Sequence, residues 1–287
     1  MKLFKTSKGI LLQKEKEVFR LQEEWDHIIN RQKLFEYLGS LAKKSERIDD
    51  TSFDMLINTQ LAAPIGRQEL WAAGVTYIRS RDARKEESKS AGGADFYDKV
   101  YEAERPELFF KSLAHRVAAH NSEVYIRKDS SWNVPEPELT LFINSTGDIQ
   151  GYTVGNDMSS RSIEGENPLY LPQAKVYERS AALGPCLFVP PHPIFPETLI
   201  SIIIRRQGRV MFDDSIRLSR MKRSLTDLAA YLFRECEFNH GCFLMTGTGM
   251  VPSNDFTLQL KDEIDITIEG IGTLRNTVAM NPIHKTS

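Results

Sequence analysis

Short segments rich in β-branched and other apolar residues, separated by polar or glycine turns, dominate this sequence after Pro64. Such segments are typical of β-strands, and their number leaves little room for long helices. The predicted strands are Lys2–Thr6, Gly9–Gln13, Leu139–Asn144, Tyr152–Val154, Leu199–Ile204, Val210–Phe212, Phe256–Leu260, Ile264–Ile268 and Thr273–Val278. The turn at Arg206-Gln207-Gly208 predicts a hairpin between two of them. We therefore expect an α+β fold that is mostly β.

Two stretches have helical periodicity instead. Over Glu23–Lys44 apolar residues recur at helical spacing, which predicts one amphipathic helix. Ser224 begins a pattern that resembles a capping box and predicts a second helix over Leu225–Cys236. Since strand patterns resume after the first helix, we expect a small N-terminal α+β unit over residues 1–65 and a catalytic domain over residues 66–287.

The composition excludes several classes of function. Apolar residues make up 41% and charged residues 26% of the 287 residues, as in ordinary globular proteins. The formal net charge of −2 gives no reason to expect nucleic acid or membrane as a partner. The N-terminal residues do not form a signal peptide, and no apolar run is long enough to span a membrane. Three cysteines without a CxxC motif suit a reducing compartment, so we expect a cytoplasmic protein.

The motif Pro135-Glu136-Pro137-Glu138 points to a metal. Each proline pushes the preceding residue toward an extended conformation, in which residues i and i+2 face the same side. Glu136 and Glu138 should therefore point together, and Asp157, just after a predicted strand, is a third candidate. Three carboxylates within about 4 Å repel one another by roughly 4 kcal/mol per pair at an effective dielectric constant of 20, so a cation or protons must neutralise them. Oxygen ligands favour Mg²⁺, Mn²⁺ or Ca²⁺ over Zn²⁺, whereas a solvated acidic edge strand is the alternative without a metal.

Further motifs accompany these acids in a fixed order. They are Gly74-Val75-Thr76-Tyr77, Phe110-Lys111-Ser112, the Pro-Glu-Pro-Glu motif, Gly155-Asn156-Asp157-Met158-Ser159-Ser160-Arg161, Lys175 and Thr246-Gly247-Thr248-Gly249. From about Ala72 to Ala279, this order resembles the fumarylacetoacetate hydrolase superfamily. The resemblance implies a mixed β-roll of the C-terminal type found in that family. It also implies Mg²⁺ or Mn²⁺ on Glu136, Glu138 and Asp157, and a homodimer or higher homo-oligomer.

Within this family, the chain departs from the hydrolases. Those enzymes follow the turn at Tyr77 with a His and a Glu that together activate water, and here the two positions hold Ser80 and Ala83. Neither side chain is a general base. The stretches 74–84 and 165–175 instead resemble the branch that dehydrates 2-keto-3-deoxy-pentonates such as the arabinonate to 2,5-dioxopentanoate. A metal-dependent acylpyruvate hydrolase or oxaloacetate decarboxylase is the alternative, and a non-catalytic sugar-acid binder is a third hypothesis.

The chemistry of a 2-keto acid fits this branch. Its carboxylate and keto oxygen can chelate a metal that acidifies the C3 protons and stabilises the enolate. Lys175 is the first candidate for the acid–base role, because a nearby cation would lower its pKa; pairing with the ligand carboxylates is the alternative. Glu107 is a weaker candidate for the second proton transfer, with a plain surface glutamate as its alternative.

Candidate substrate contacts surround these residues. Arg79 and Arg81 would face one side of an extended loop and could hold a carboxylate, although two solvated arginines are the more common case for such a pair. Polar groups suited to the substrate are those of Thr76, Ser80, Lys111, Ser112 and Thr248. The charged segment Asp82–Glu104 is either a lid or a surface loop.

Overall fold

A computed structural model of the chain describes residues 1–87 and 99–282. The strands, in chain order, are β1 Lys2–Thr6, β2 Gly9–Lys14, β3 Glu17–Leu21, β4 Glu46–Ile48, β5 Glu69–Gly74, β6 Glu107–Leu113, β7 Val117–Ala118, β8 Ser122–Ile126, β9 Asn133–Val134, β10 Pro137–Ile143, β11 Ile149–Asp157, β12 Ser159–Ser160, β13 Ala181–Phe188, β14 Leu199–Arg206, β15 Arg209–Arg217, β16 Cys242–Met245, β17 Glu263–Ile268 and β18 Gly272–Met280. The helices include α1 Trp25–Ile29, α2 Leu34–Ala42, α3 Asp50–Gln60, α4 Ile78–Glu87, α5 Arg161–Glu166, α6 Leu171–Lys175 and α7 Leu225–Leu232. The mostly β fold expected from the sequence is confirmed.

Two large sheets form the body of the molecule. One has the strand order β4-β3-β2-β1-β13-β11-β10-β16-β5-β6, with β7 beside β13, and the other has the order β15-β14-β17-β18-β8. Both sheets are mixed: β16 pairs with β5, β13 with β7 and β18 with β8 in parallel, and the other neighbouring strands are antiparallel. A small sheet of β9 and β12 lies beside them. The predicted hairpin is confirmed, since β14 and β15 pair across Gln207-Gly208.

Alternation of apolar residues explains how the sheets pack. On β14, Ile200, Ile202 and Ile204 are buried in the same core as Leu139 and Leu141 of β10. Side chains with this period of two face one side of a strand, so they pack between the two sheets. Each such side chain contributes about 1.5–3 kcal/mol by leaving water. A second core lies on the far face of the long sheet, where α1 and α2 cover it.

The predicted helix over Glu23–Lys44 is wrong as a single element. The chain forms α1 and α2, and Lys33 between them has a left-handed backbone with φ 52°. Tertiary hydrogen bonds hold the segment between them: the Asn30 side-chain amide donates to the carbonyl of Asn239, and the Leu34 N–H at the start of α2 donates to the Gln150 side chain. The reversal allows both short helices to bury apolar residues against the sheet, including Trp25.

Two further boundaries differ from the prediction. The predicted strand Phe256–Leu260 is wrong. The Leu258 N–H donates to the Asn133 carbonyl, but this segment does not form the repeated backbone hydrogen bonds of a β-strand. The helix that begins at the Ser224 cap ends at Leu232 and does not continue to Cys236. Its predicted cap is present, since the Ser224 hydroxyl accepts the N–H of Asp227 at 3.0 Å.

The N-terminal strands belong to the same sheet as the strands of the main domain. Lys2 and Leu3 of β1 pair with β13, so this sheet crosses the predicted boundary at residue 65. The division into units over residues 1–65 and 66–287 stays a prediction. Within the described residues, the helices are too short or too polar to cross a bilayer.

Candidate metal centre and active site

Three acids meet where β10 begins and its antiparallel neighbour β11 ends. Glu136 precedes β10, Glu138 lies within it and Asp157 is the last residue of β11. Each of the three offers a carboxylate oxygen, and these oxygens lie within 4.8 Å of one another. We call Glu136, Glu138 and Asp157 the site acids. They are at most 4% exposed, which excludes the solvated acidic edge strand.

Three basic side chains from separate elements surround the site acids. The ammonium of Lys175, at the end of α6, lies 2.5 Å from Glu136 Oε2 and 3.1 Å from Asp157 Oδ2. The ammonium of Lys111 on β6 lies 2.5 Å from Asp157 Oδ1, and the Arg161 guanidinium at the start of α5 lies 2.6 Å from Glu136 Oε1. All three cations are buried. The formal charges of the six groups therefore sum to zero when all are ionised.

Glu138 differs from the other site acids in its partner. Its Oε2 accepts the N–H of Gly247 at 2.6 Å. Burial, followed by the charges of Asp157 and Glu136, raises its pKa well above the ordinary value, and the charge of Lys175 and the Gly247 bond only partly oppose this. The cluster thus holds a carboxylate that the protein's own charges do not fully stabilise.

The backbone at Gly247 is specialised for this contact. Gly247 has a left-handed φ of 92°, and a Cβ at this position would lie 2.0 Å from Thr76 Oγ1. A residue without a side chain is therefore needed where the N–H approaches Glu138. This gives the glycine of the Thr246–Gly249 motif a specific role.

The site acids fit a hard divalent cation. Three oxygen ligands within 4.8 Å of one another match the donor set of Mg²⁺ or Mn²⁺. A cation would also remove the repulsion that raises the pKa of Glu138. The residues that would hold it are the site acids themselves.

A cleft opens beside the site acids, and several predicted residues line it. Lys175, Ser80 and Thr248 contribute to its wall. The hydroxyl of Ser80 bonds to both the N–H and the carbonyl of Tyr77, so it stabilises the start of α4. Thr248 bonds to the backbone of Met250 in a similar way.

Glu107 lies against the wall of this cleft. It pairs with Gly74 across β6 and β5, and a Cβ on Gly74 would lie 1.9 Å from Glu107 Oε2. That oxygen is buried and has no hydrogen-bond partner among the residues that the structure describes. Gly74 itself lines the cleft, so Glu107 is closer to the site than a plain surface glutamate would be.

Other predicted substrate contacts are occupied by the protein. Thr76 donates its hydroxyl to the carbonyl of Thr246 at 2.7 Å, and Ser112 donates to the carbonyl of Leu113. The Lys111 ammonium has three protein acceptors: Asp157, the Met158 carbonyl and the Lys175 carbonyl. The substrate contact of Lys111 stays a prediction, and in this structure its ammonium faces these protein groups.

Arg79 and Arg81 are not on an extended loop, so that expectation is wrong. Both lie on α4, where residues two apart do not face the same side. Arg79 pairs with Asp214 at 2.9 Å, and the Arg81 guanidinium lies 5.0 Å from the Tyr101 ring centroid. Much of the suggested lid Asp82–Glu104, residues 88–98, lies outside the described part of the chain.

Sequence reasoning missed two residues that face the site. Arg161 lies in a quoted motif but had no assigned role, although it binds Glu136 and lines the cleft. Phe109 lines the same cleft and lies 5.8 Å, centroid to ammonium, from Lys175. The available signal was the β-strand period, because Phe109 and Lys111 are two residues apart on one strand.

The fold and site define a class of enzyme that sequence comparison also identifies. The model of the fumarylacetoacetate (FAA) hydrolase C-terminal family matches residues 78–279. The chain belongs to this family.

Particular relatives are sugar-acid dehydratases. The chain is 47% identical over 230 residues to a probable 2-keto-3-deoxyxylonate dehydratase of Haloferax volcanii, a match that covers 80% of this chain and 78% of the relative. It is 40% identical over 217 residues to a 2-dehydro-3-deoxy-D-arabinonate dehydratase of Saccharolobus solfataricus, covering 75% of this chain and 73% of the relative. A solved 2-keto-3-deoxy-D-arabinonate dehydratase, complexed with magnesium and 2,5-dioxopentanoate, has a TM-score of 0.84 and 32% identity, covering 98% of this chain and 99% of the other.

Proposed function

We propose that this protein is a Mg²⁺-dependent hydro-lyase that dehydrates a 2-keto-3-deoxy-pentonate to 2,5-dioxopentanoate. The observation that carries the proposal is the cluster of three buried carboxylates beside the Lys175 ammonium. The related dehydratases, one of them solved with magnesium and 2,5-dioxopentanoate, support the choice of reaction.

The charge of the site suits this substrate class. The site acids and the three surrounding cations balance, so a divalent ion leaves an excess of two positive charges. A 2-keto acid brings one negative charge on its carboxylate and develops a second on its keto oxygen when a C3 proton leaves. When bound, Mg²⁺ supplies Lewis-acid polarisation of that keto group.

The reaction then needs proton transfers from the protein. A proton leaves C3, and the C4 hydroxyl departs as water after receiving a proton. In the resulting enone a proton moves from C5 to C3 to give an enol between C4 and C5, and the hydroxyl proton of this enol then moves to C4 to give the aldehyde. We assign the first transfer to Lys175, which would accept the C3 proton as the neutral amine; its Nζ is beside the site acids and in the cleft wall. Glu107, with its buried oxygen against Gly74, is assigned to the second.

Substrate contacts are assigned by position. Ser80 and Thr248 line the cleft and are placed to contact substrate hydroxyls, although both also bond to nearby backbone. Support for Thr76, Ser112, Arg79 and Arg81 is weaker, because each has a protein partner.

A hydrolase of the same family is the second candidate considered. Such an enzyme must activate water with a base, and the Ser80 hydroxyl at the expected histidine position is bonded to its own turn. Decarboxylation of oxaloacetate needs no such base, so it is separated from dehydration by experiment.

The test is an assay with D- and L-2-keto-3-deoxy-pentonates, measuring the aldehyde product with Mg²⁺ and with EDTA. Acylpyruvates and oxaloacetate are assayed in parallel. We expect aldehyde from at least one pentonate, and none after EDTA treatment. CO₂ release from oxaloacetate without any aldehyde would overturn the dehydratase assignment.

Lys175→Ala separates an enzyme from a binder. We expect this variant to retain binding of the keto acid, measured by calorimetry, and to lose aldehyde formation. Unchanged turnover would remove Lys175 from its proton-transfer role.

We also propose a homodimer in the cytoplasm. Val210 and Met211 are 57% and 45% exposed on β15, the edge strand of its sheet, where a second copy could cover them. All three cysteines are free thiols, as expected in a reducing compartment. Light scattering of the purified protein tests the assembly, and a monomeric mass at micromolar concentration would contradict it.

A further inference from the structure

Lys111 is a fully buried lysine whose contacts are all with the protein. Its ammonium lies 2.5 Å from Asp157 Oδ1, 3.0 Å from the Met158 carbonyl and 2.5 Å from the Lys175 carbonyl. The ammonium thus forms hydrogen bonds to two carbonyls and an ion pair with Asp157. Unlike Lys175, Lys111 does not line the cleft wall.

These three acceptors belong to two separate parts of the site. Asp157 and Met158 are at the end of β11, whereas Lys175 is at the end of α6. Lys111, on β6, joins both ends to a third element. The Ser180 hydroxyl also donates to the Lys175 carbonyl, at 2.9 Å, so this carbonyl is held from two directions.

The contact with Asp157 also determines how that carboxylate is presented. Lys111 holds Oδ1, while Oδ2 is 3.1 Å from the Lys175 ammonium. With one oxygen paired to a buried strand residue, rotation of the carboxylate is restricted, and Oδ2 faces the Lys175 ammonium that also contacts Glu136. Partners of metal ligands that restrict them in this way typically change metal affinity about 10–100-fold.

We propose that Lys111 is a positioning residue that orients Asp157 for the divalent cation and fixes the backbone that carries Lys175. The inference rests on the proposed metal-dependent function. It assigns Lys111 no proton transfer and no contact with the substrate.

Lys111→Met distinguishes positioning from a simple charge effect by the sign of the change. Removal of a nearby positive charge should by itself tighten Mg²⁺ binding, because less repulsion opposes the ion. Loss of positioning should weaken it. We expect about tenfold weaker Mg²⁺ binding to the substrate-free variant, measured by isothermal titration calorimetry. Equal or tighter binding would overturn the proposal.

The matched control is Lys5→Met. Lys5 also donates to a backbone carbonyl, that of Ile65, and its strand β1 does not contribute to the cleft. We expect a lower melting temperature and unchanged Mg²⁺ affinity, so a general loss of stability can be separated from a loss of positioning. If the control weakens Mg²⁺ binding as much as Lys111→Met does, the proposal is also overturned.

Lys111→Arg covers the case in which Lys111→Met does not fold. It retains the charge, but its planar donors do not reproduce the arrangement of an ammonium with three acceptors. We expect weaker Mg²⁺ binding and a lower kcat, with a KM that changes less than kcat. Wild-type affinity and kcat in this variant would overturn the proposal. If the wild type itself binds no Mg²⁺ in this titration, the proposed function fails, and this result differs from every outcome above.

Discussion

The site acids and a second group of acids on the five-stranded sheet are paired in different ways. The second group, Asp262 and Asp265, is called here the sheet acids. Arg206 binds both oxygens of the fully buried Asp262 at 2.8 Å, and Asp265 receives bonds from Arg205 at 2.8 Å and Arg275 at 2.6 Å. Each sheet acid thus has at least one guanidinium, whose planar donors match a carboxylate.

The pKa values of one acid from each group, Asp265 and Glu138, are shifted in opposite directions. Burial alone would raise the pKa of Asp265, but the bonds and charges of Arg275 and Arg205 outweigh it, and the pKa lies below its usual value. At Glu138, burial and two neighbouring carboxylates prevail and the pKa is raised. The ionised form of Asp265 is therefore stabilised by its guanidinium partners, whereas Glu138, beside two other carboxylates, is suited to binding a metal.

The largest expected difference comes from Glu138→Gln. Loss of a metal ligand should lower kcat/KM at least about 100-fold, because stabilisation of the developing charge is lost.

The same Glu138→Gln variant should have a higher melting temperature than the wild type in EDTA at pH 8. A carboxyl whose pKa is raised on folding stabilises the fold below its unfolded pKa, and this stabilisation is lost as pH rises through the folded value. Steady-state kinetics and thermal melts in EDTA measure the two effects.

The exposed Glu15 supplies the control for that experiment. Glu15→Gln should change neither the activity nor the melting temperature appreciably. A Glu138→Gln protein that melts lower than wild type in EDTA would show that Glu138 is stabilising, and the contrast with the sheet acids would fail.

Asp262→Asn should have the opposite effect on stability. It leaves the Arg206 guanidinium without its bidentate partner, so we expect a loss of about 2–3 kcal/mol in the free energy of unfolding. Partial exposure of Arg206 keeps the cost below that of a fully buried pair. Urea unfolding measures it, with the exposed Asp255→Asn as control. Magnesium affinity should not change, and a weaker affinity would indicate that the two groups are coupled.

Glu107→Gln would remove a charge, but Gly74→Ala tests the placement of the carboxylate itself. A methyl group on Gly74 would overlap Glu107 Oε2, and the carboxylate must move away. We expect about a tenfold lower kcat, equivalent to roughly 1.4 kcal/mol, with a small change in melting temperature. The control is Gly39→Ala, where the added methyl group meets no atom within 4 Å. An unchanged kcat in Gly74→Ala would argue against a catalytic role for Glu107.

Local pattern predicted much of the fold and part of the site. Strands such as β1 and the β14–β15 hairpin were predicted because alternation and turn residues are properties of neighbouring positions. Glu136 and Glu138 were predicted to converge because the prolines between them fix the local backbone. Asp157 was a candidate because it follows a predicted strand, and the family resemblance added Lys175 and the metal-binding role of all three acids.

Features that depend on distant contacts were not predicted. The chain reverses at Lys33 without a glycine or proline, because bonds to Asn239 and Gln150 become available only in the folded protein. The protein contacts of Lys111 were not predicted, because its three partners lie 46 to 64 residues away in the chain. The sequence does not show whether a lysine is buried or exposed, because its burial depends on tertiary structure.

The smallest expected effect concerns His120, which sharpens the comparison on the side of the sheet acids. Its Nδ1 accepts the N–H of Arg275 at 3.1 Å. Burial, followed by the charge of Arg275, lowers its pKa below the ordinary 6.5, although Asp265 and the Thr273 backbone partly oppose this. Below pH 6.5 the unfolded chain binds a proton more readily than the folded chain, so stability falls as pH drops from 6.5 through the folded pKa.

His120→Gln should therefore reduce this loss of stability in acid, opposite in direction to the pH dependence expected from Glu138. The measurement is the difference in melting temperature between His120→Gln and wild type at several values from pH 7 to pH 5, in EDTA. Taking the difference removes the contribution of Glu138, which both proteins share. We expect the melting temperature of the variant to rise relative to that of the wild type as pH falls. A constant gap would mean that His120 does not titrate differently in the folded and unfolded chains, and the acid sensitivity of this sheet would then lie in the sheet acids alone.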